Sequence, residues 1–179
     1  FQTAAMLLGD EHEAASVVEQ AVIAVDIDPC GDPGAAHREA RERVIRASLR
    51  RMAQYPAGGL DAELAGVPTS TCIESDDLSA AGLTTEELEK LLQGPGRVRL
   101  RQWLDRLSPA MRAVFVLRAL LGWSNDAAAE ALKASGSAGA AGWMAATVSQ
   151  VYRQALCSLA TSLHHSSDAA ASDHASLKS

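Results

Sequence analysis

The side chains able to do covalent chemistry are few in this sequence and stand far apart. Cys30, Cys72 and Cys157 are odd in number and none has a histidine at metal-ligand spacing. Neither a disulfide framework nor a zinc site is expected, and the thiols read as reduced and unreactive. His164, His165 and His174 lie in a terminal stretch rich in Ser, Ala and Asp, where adventitious metal binding is the most they suggest. No Gly-rich phosphate loop, nucleophile elbow or His-Glu-x-x-His pair occurs, so the chain reads as a non-enzyme without cofactor or resident metal. What remains is a set of hydrogen-bonding and charged side chains. Ser149, Gln150 and Gln154 carry donors and acceptors suited to base edges, and Arg153 among them suits a phosphate. Arg46, Arg50 and Arg51 form a second group able to hold phosphates.

Helices have to carry these groups. Of 179 residues 47% are hydrophobic but only 4% aromatic, and the apolar content is mainly Ala, Leu and Val, which favours an alanine-rich helical protein. Val18, Val22 and Val25 recur at i, i+4 and i+7 behind Asp10, Glu11 and Glu13, predicting a helix over about residues 12–25. The turn formers Asp28-Pro29-Cys30-Gly31-Asp32-Pro33-Gly34 close it. A second helix from Ala35 to Gln54 puts Ile45, Leu49 and Met52 on one side and Arg38, Arg41, Arg46 and Arg50 largely on the others. Residues 55–82, with four Gly, two Pro and a polar Thr69-Ser70-Thr71 run, read as a linker.

Beyond the linker, Thr84 and Glu87 have capping-box spacing, with Leu83 and Leu88 placed as a hydrophobic staple and Gly94 as the stop. Leu100, Trp103, Leu104 and Leu107 mark the next buried stripe, with Arg97, Arg99, Arg101 and Arg106 on the solvated faces. Ser108-Pro109 starts a helix that turns Met111, Val114, Phe115 and Leu121 inward and stops at Gly122. Ser124 caps a short helix carrying Ala128, Ala129 and Leu132. Val148, Val151, Tyr152, Ala155, Leu156, Leu159 and Leu163 define a last one starting near Thr147. The predicted fold is all-α with two small helical modules: residues 1–54 and a four-helix helix-turn-helix module over 83–163. Residues 164–179 are expected to be a disordered tail.

Charge divides along the same line. The net −6 conceals 7 Lys/Arg against 17 Asp/Glu in residues 1–95, and 8 against 3 in residues 96–165. An acidic module and a basic one suggest different partners. With no run of eighteen apolar residues and no signal-like start, membrane and secretion are disfavoured and a cytoplasmic location is expected. Phe1 in place of an initiator Met suggests a longer native chain.

The stretch Arg106-Leu107-Ser108-Pro109-Ala110-Met111-Arg112 through Gly122-Trp123-Ser124, Ala127–Leu132 and Thr147-Val148-Ser149-Gln150-Val151-Tyr152-Arg153-Gln154-Ala155-Leu156 resembles region 4 of extracytoplasmic-function sigma factors. In that family a Leu-x-Pro-x-x-Arg helix leads through Gly-x-Ser into a helix-turn-helix. The run Leu7-Leu8-Gly9-Asp10 through Val17-Val18-Glu19-Gln20-Ala21 resembles region 2. The resemblance implies a protein of bacterial transcription initiation that binds core RNA polymerase through region 2, with Val17, Val18, Gln20 and Ala21 at the docking surface. It also implies promoter contact by Arg46, Arg50 and Arg51, a recognition helix running from Thr147, and an anti-sigma or other regulatory protein as a possible partner. Arg112 and Arg118 match positions commonly basic in the family, with scaffold and DNA-backbone roles both open.

Two features of the residues weigh the other way. No aromatic residue lies between Ala35 and Gln54 to stack on an extruded base. Leu132 and Thr147 are also too far apart for a tight helix-turn-helix turn. The Gly/Ala run between them is either a flexible insertion or an N-terminal extension of the last helix, and Trp143 within it is either a plug or an exposed contact. Trp103 and Trp123 read as core and subdomain-contact residues. The two functional expectations are therefore a sigma-like DNA reader and a degenerate sigma-like module that binds a protein in place of DNA.

Overall fold

A computed structural model describes residues 1–25, 32–56, 59–61, 72–137 and 139–176, with side chains described only up to residue 163. Among the described residues there are eight α-helices and no strand: α1 Gln2–Leu8, α2 Glu11–Ile23, α3 Pro33–Ala53, α4 Thr85–Gln93, α5 Gly96–Arg106, α6 Pro109–Phe115, α7 Asn125–Lys133 and α8 Ala145–Ser176. Cys30, most of the turn before α3, and residues 57–58 and 62–71 of the expected linker lie outside the described residues. Among the described residues no helix is long and apolar enough to cross a membrane.

Local signals start the helices where the side chains predict. The Asp10 carboxylate accepts the Glu13 N–H at 2.8 Å, and Asp32 accepts from Gly34 and Ala35 ahead of α3. Thr84 and Glu87 close a full capping box on α4, satisfying donors that the first helical turn otherwise leaves unpaired. Ser108 and Ser124 accept from Met111 and Ala127 at the starts of α6 and α7. α6 runs on as a π-helical turn, Val116–Leu120, and Gly122 at φ 67° ends it, a left-handed backbone that glycine adopts without a side-chain clash.

The buried stripe of α2 differs from the expected one. Ala14, Val17 and Ala21 face the core, whereas Val18 is half-buried and Val22 is exposed. Both stripes have helical spacing, but α2 packs against both α1 and α3, and the small alanine side chains allow the closer approach. On α3, Ile45, Leu49 and Met52 are buried as predicted.

One cluster of buried apolar side chains runs from Ala4 to Leu159 through both halves of the chain. Trp103, Phe115 and Tyr152 form its aromatic centre, with Trp103 and Phe115 edge to face at 4.8 Å between centroids, a favoured ring geometry. The Trp103 indole N–H donates to Ser158 Oγ at 3.2 Å. α1 packs on α6, and Arg112 marks this seam: it is 8% exposed, lies against Gly9, and pairs with Asp105 at 3.6 Å. Burial pushes its guanidinium pKa down and Asp105 partly offsets that. Arg101 of α5 pairs with Glu11 at the start of α2, and this holds the Glu11 carboxyl below its ordinary range. Both Arg101 and Arg112 thus serve the scaffold.

α8 begins at Ala145, two residues before the predicted start, and continues to Ser176, over most of the stretch expected to be a disordered tail. The added residues are rich in alanine, the strongest helix former, which lets the backbone of α8 carry on. Between α7 and α8, the described residues 134–137 and 139–144 are tied to the core. Trp143 is 0% exposed and donates its indole N–H to the Leu60 carbonyl at 2.7 Å, and Ser137 donates to the same carbonyl at 3.3 Å. Of the two roles open to Trp143, the plug is the one adopted.

Candidate nucleic-acid interface

The polar residues of α8 fall on two faces. Gln150 is exposed beside Ala146 and Met144 near the N-terminus of the helix, and the Thr147 hydroxyl donates back to the Gly142 carbonyl at 3.0 Å. Ser149, Arg153 and Cys157 stand at i, i+4 and i+8, which puts them in one row along the helix. Each member of that row meets residues 72–77. Ser149 faces the Asp76 carboxylate and helps keep it charged, Arg153 Nη1 donates to the Glu74 carbonyl at 3.1 Å, and Cys157 is disulfide-bonded to Cys72 with a Cα–Cα distance of 5.8 Å.

The order is 76, 74, 72 against 149, 153, 157, so this segment lies antiparallel along α8 as a strap. Its register has a simple basis. A chain near full extension advances about 6.6 Å in two residues, and a helix advances about 6 Å in four, so successive contacts stay aligned. Ile73 and Leu78 are buried on the core side, and the 3₁₀ turn Leu78–Ala81 packs on α8. The strap also reaches α7: Asn125 Nδ2 donates to Asp76 Oδ2 at 2.8 Å. That bond, helped by Ser149 and the nearby Arg118, holds the Asp76 carboxyl below its ordinary range against the opposing effect of burial.

The expectation of three reduced thiols is corrected at this point. Cys72 and Cys157 pair, and Cys30 lies outside the described residues. Spacing could not reveal a pair separated by 85 positions, because only the packing of the strap on α8 brings the two α-carbons within disulfide range.

Arg118 serves the scaffold: it donates to the Trp123 carbonyl and lies 5.2 Å from the centroid of the Tyr152 ring. Desolvation pushes the Tyr152 hydroxyl up to about 12. On α3, Arg46 and Arg50 line an open cleft of about 680 Å³ between α3 and α7, together with Arg41 and the half-buried Trp123. Arg46 is paired with Glu42 at 3.1 Å. Arg51 points away from this cleft and pairs with Glu13 of α2, whose other oxygen accepts the Tyr55 hydroxyl at 2.5 Å. The three arginines grouped by the sequence are therefore split, two on the cleft and one on the α2–α3 packing.

The residues expected to dock polymerase divide similarly. Val17 and Ala21 are buried, Val18 is half-buried, and Gln20 is exposed and bonded to Ser16. The exposed apolar side chains at this end of α2 are Val22 and Ile23. Sequence reasoning also missed Glu74, Asp76 and Asn125; the only signal available was the acidic run in the linker.

The chain matches no protein-family model, no curated protein and no solved structure.

Proposed function

We propose that this chain is a sigma-factor-like DNA-binding protein acting in bacterial transcription initiation or its regulation, with RNA polymerase core and promoter DNA as partners. α8 is the recognition helix and α7 the supporting helix. The observation that carries this reading is the strap itself. The donors on α7 and α8 that suit DNA, from Asn125 and Arg153, are met by a segment bearing Glu74, Asp76 and Asp77. A surface that accepts an acidic segment of its own chain has donors complementary to a polyanion. Arg46 and Arg50 on the α3–α7 cleft supply further charge for phosphates.

The rival, a sigma-like module that binds a protein in place of DNA, draws on the same contacts: Arg153 is already engaged within the chain through Nη1, and Val22 and Ile23 are exposed on α2. Fluorescence anisotropy of a labelled −35-type duplex at two salt concentrations separates the two. The DNA-reading proposal expects saturable binding that weakens with salt. A folded protein that gives no saturable binding at low salt, whether oxidised or reduced, removes it and leaves the protein-binding role.

A further inference from the structure

The disulfide is the one covalent element in the strap's hold on α8. Cys72 is exposed and Cys157 is half-buried, so the Cys72 sulfur is the one open to attack. The other contacts of residues 72–77 include a main-chain acceptor for Arg153, the Asp76 bond to Asn125 with Ser149 beside it, and the buried Ile73. Contacts of this kind close readily while a crosslink keeps the two segments together, and lose that advantage once it is cut. Leu78 and Ala81 stay buried beyond the segment and provide the hinge on which it would lift.

We propose that Cys72–Cys157 is a thiol–disulfide exchange site, and that its reduction by a dithiol lifts residues 72–77 and uncovers Ser149 and Arg153 on α8. The chemistry balances without any further reactant. A thiolate of the dithiol attacks Cys72 Sγ, the disulfide breaks, and Cys157 leaves as a thiolate that takes up a proton. The second thiol of the reagent then attacks the mixed disulfide and releases Cys72. Two electrons pass from the dithiol, which ends as a cyclic disulfide, to the two protein sulfurs. In the oxidised protein the recognition row is closed; in the reduced protein it is open. The consequence for DNA rests on the function proposed above, whereas the release itself does not.

The test compares the full chain, oxidised and reduced with dithiothreitol, by hydrogen exchange and by anisotropy on the labelled −35-type duplex, with far-UV circular dichroism as a check on the fold. Reduction is expected to raise amide exchange in residues 72–77 by about tenfold or more, to leave the helical signal in place, and to tighten duplex binding by about tenfold, as expected when a largely closed site becomes available. The double variant Cys72→Ser, Cys157→Ser is expected to reproduce the reduced state without any reagent. Unchanged exchange in residues 72–77 in both the reduced protein and the double variant overturns the latch. Loss of the helical signal on reduction also overturns it, because the bond would then be a structural bolt. Faster exchange with saturable but equal duplex binding in the two states overturns the covering of the α8 row, and faster exchange with no saturable binding in either state keeps the latch and overturns the DNA-reading proposal.

Discussion

Arg153 of α8 donates to the main-chain carbonyl of Glu74, not to its carboxylate. The arginine best placed on the recognition helix to meet a phosphate is therefore engaged by backbone, and the strap grips through its path as much as through its charge. The Asp76 carboxylate is the part of the strap that acts through its side chain, tying it to Asn125 with Ser149 beside it.

This division sets the two acidic positions apart. Glu74→Ala keeps the carbonyl and should leave strap exchange near wild type, whereas Asp76→Ala removes a charged acceptor and should cost about 1–2 kcal/mol of local protection. The depressed Asp76 pKa fixes the pH dependence. A carboxyl whose folded value lies below its ordinary 3.8 contributes fully above that value and loses its contribution as pH falls through the folded one. Hydrogen exchange of residues 72–77 should therefore show no Asp76-dependent change between about pH 8 and 5, and a loss below about pH 4.

Trp143 fills the space between the α7–α8 connection and Leu60, and its N–H satisfies the Leu60 carbonyl. Trp143→Ala should destabilise the fold by about 3–5 kcal/mol. Trp143→Phe keeps most of the bulk but orphans the indole bond, and should cost about 1–3 kcal/mol. Urea unfolding of the two variants gives the ordering; equal losses would show that the hydrogen bond matters as much as the filled volume.

Gly9 sits at φ 76°, and a Cβ there would stand 2.1 Å from Arg112 Nη1. Gly9→Ala should cost at least about 1–2 kcal/mol from the left-handed backbone alone, with a further loss as the buried Arg112 is displaced from the α1–α6 seam. Thermal unfolding of this variant beside Gly82→Ala, where a Cβ meets nothing within 4 Å and φ is 77°, separates the backbone cost from the steric one. A matching drop in the two variants would contradict the role given to Arg112.

Tyr55 and Tyr152 are the two tyrosines of the chain, and both are pushed above their ordinary 10.0, first by burial. The Glu13 carboxylate adds to the shift at Tyr55, and for Tyr152 the value reaches about 12. A phenol that ionises later in the folded state favours folding fully below pH 10, and that contribution is lost as pH rises through the folded value. Phenolate absorbance should stay near zero at pH 10, where a free tyrosine is half ionised, and should rise together with alkaline unfolding. Half-ionisation of either ring at pH 10 in the folded protein would contradict the packing described for it.

Much of the secondary structure was legible because its determinants are local. The caps at Thr84, Ser108 and Ser124 are settled within about four residues, and the buried row Leu100, Trp103, Leu104 follows directly from helical spacing. α2 was harder to read: Val18-Val22-Val25 and Ala14-Val17-Ala21 are both apolar rows in an alanine-rich helix, and the neighbouring helices decide which one is buried. The candidate site was legible only as a set of residue types on α8. Which of them are open and which are covered was not.

The sequence by itself determined the all-helical class, the caps, most of the core-facing rows and the opposite charge of the two halves, because short-range periodicity and composition carry that information. The tertiary structure alone decided that Trp143 is a plug on Leu60, that Cys72 pairs with Cys157, and that residues 72–77 lie along Ser149 and Arg153. These contacts join positions 79 to 85 residues apart. Their closure depends on how the whole chain packs, and no local pattern of side chains encodes it.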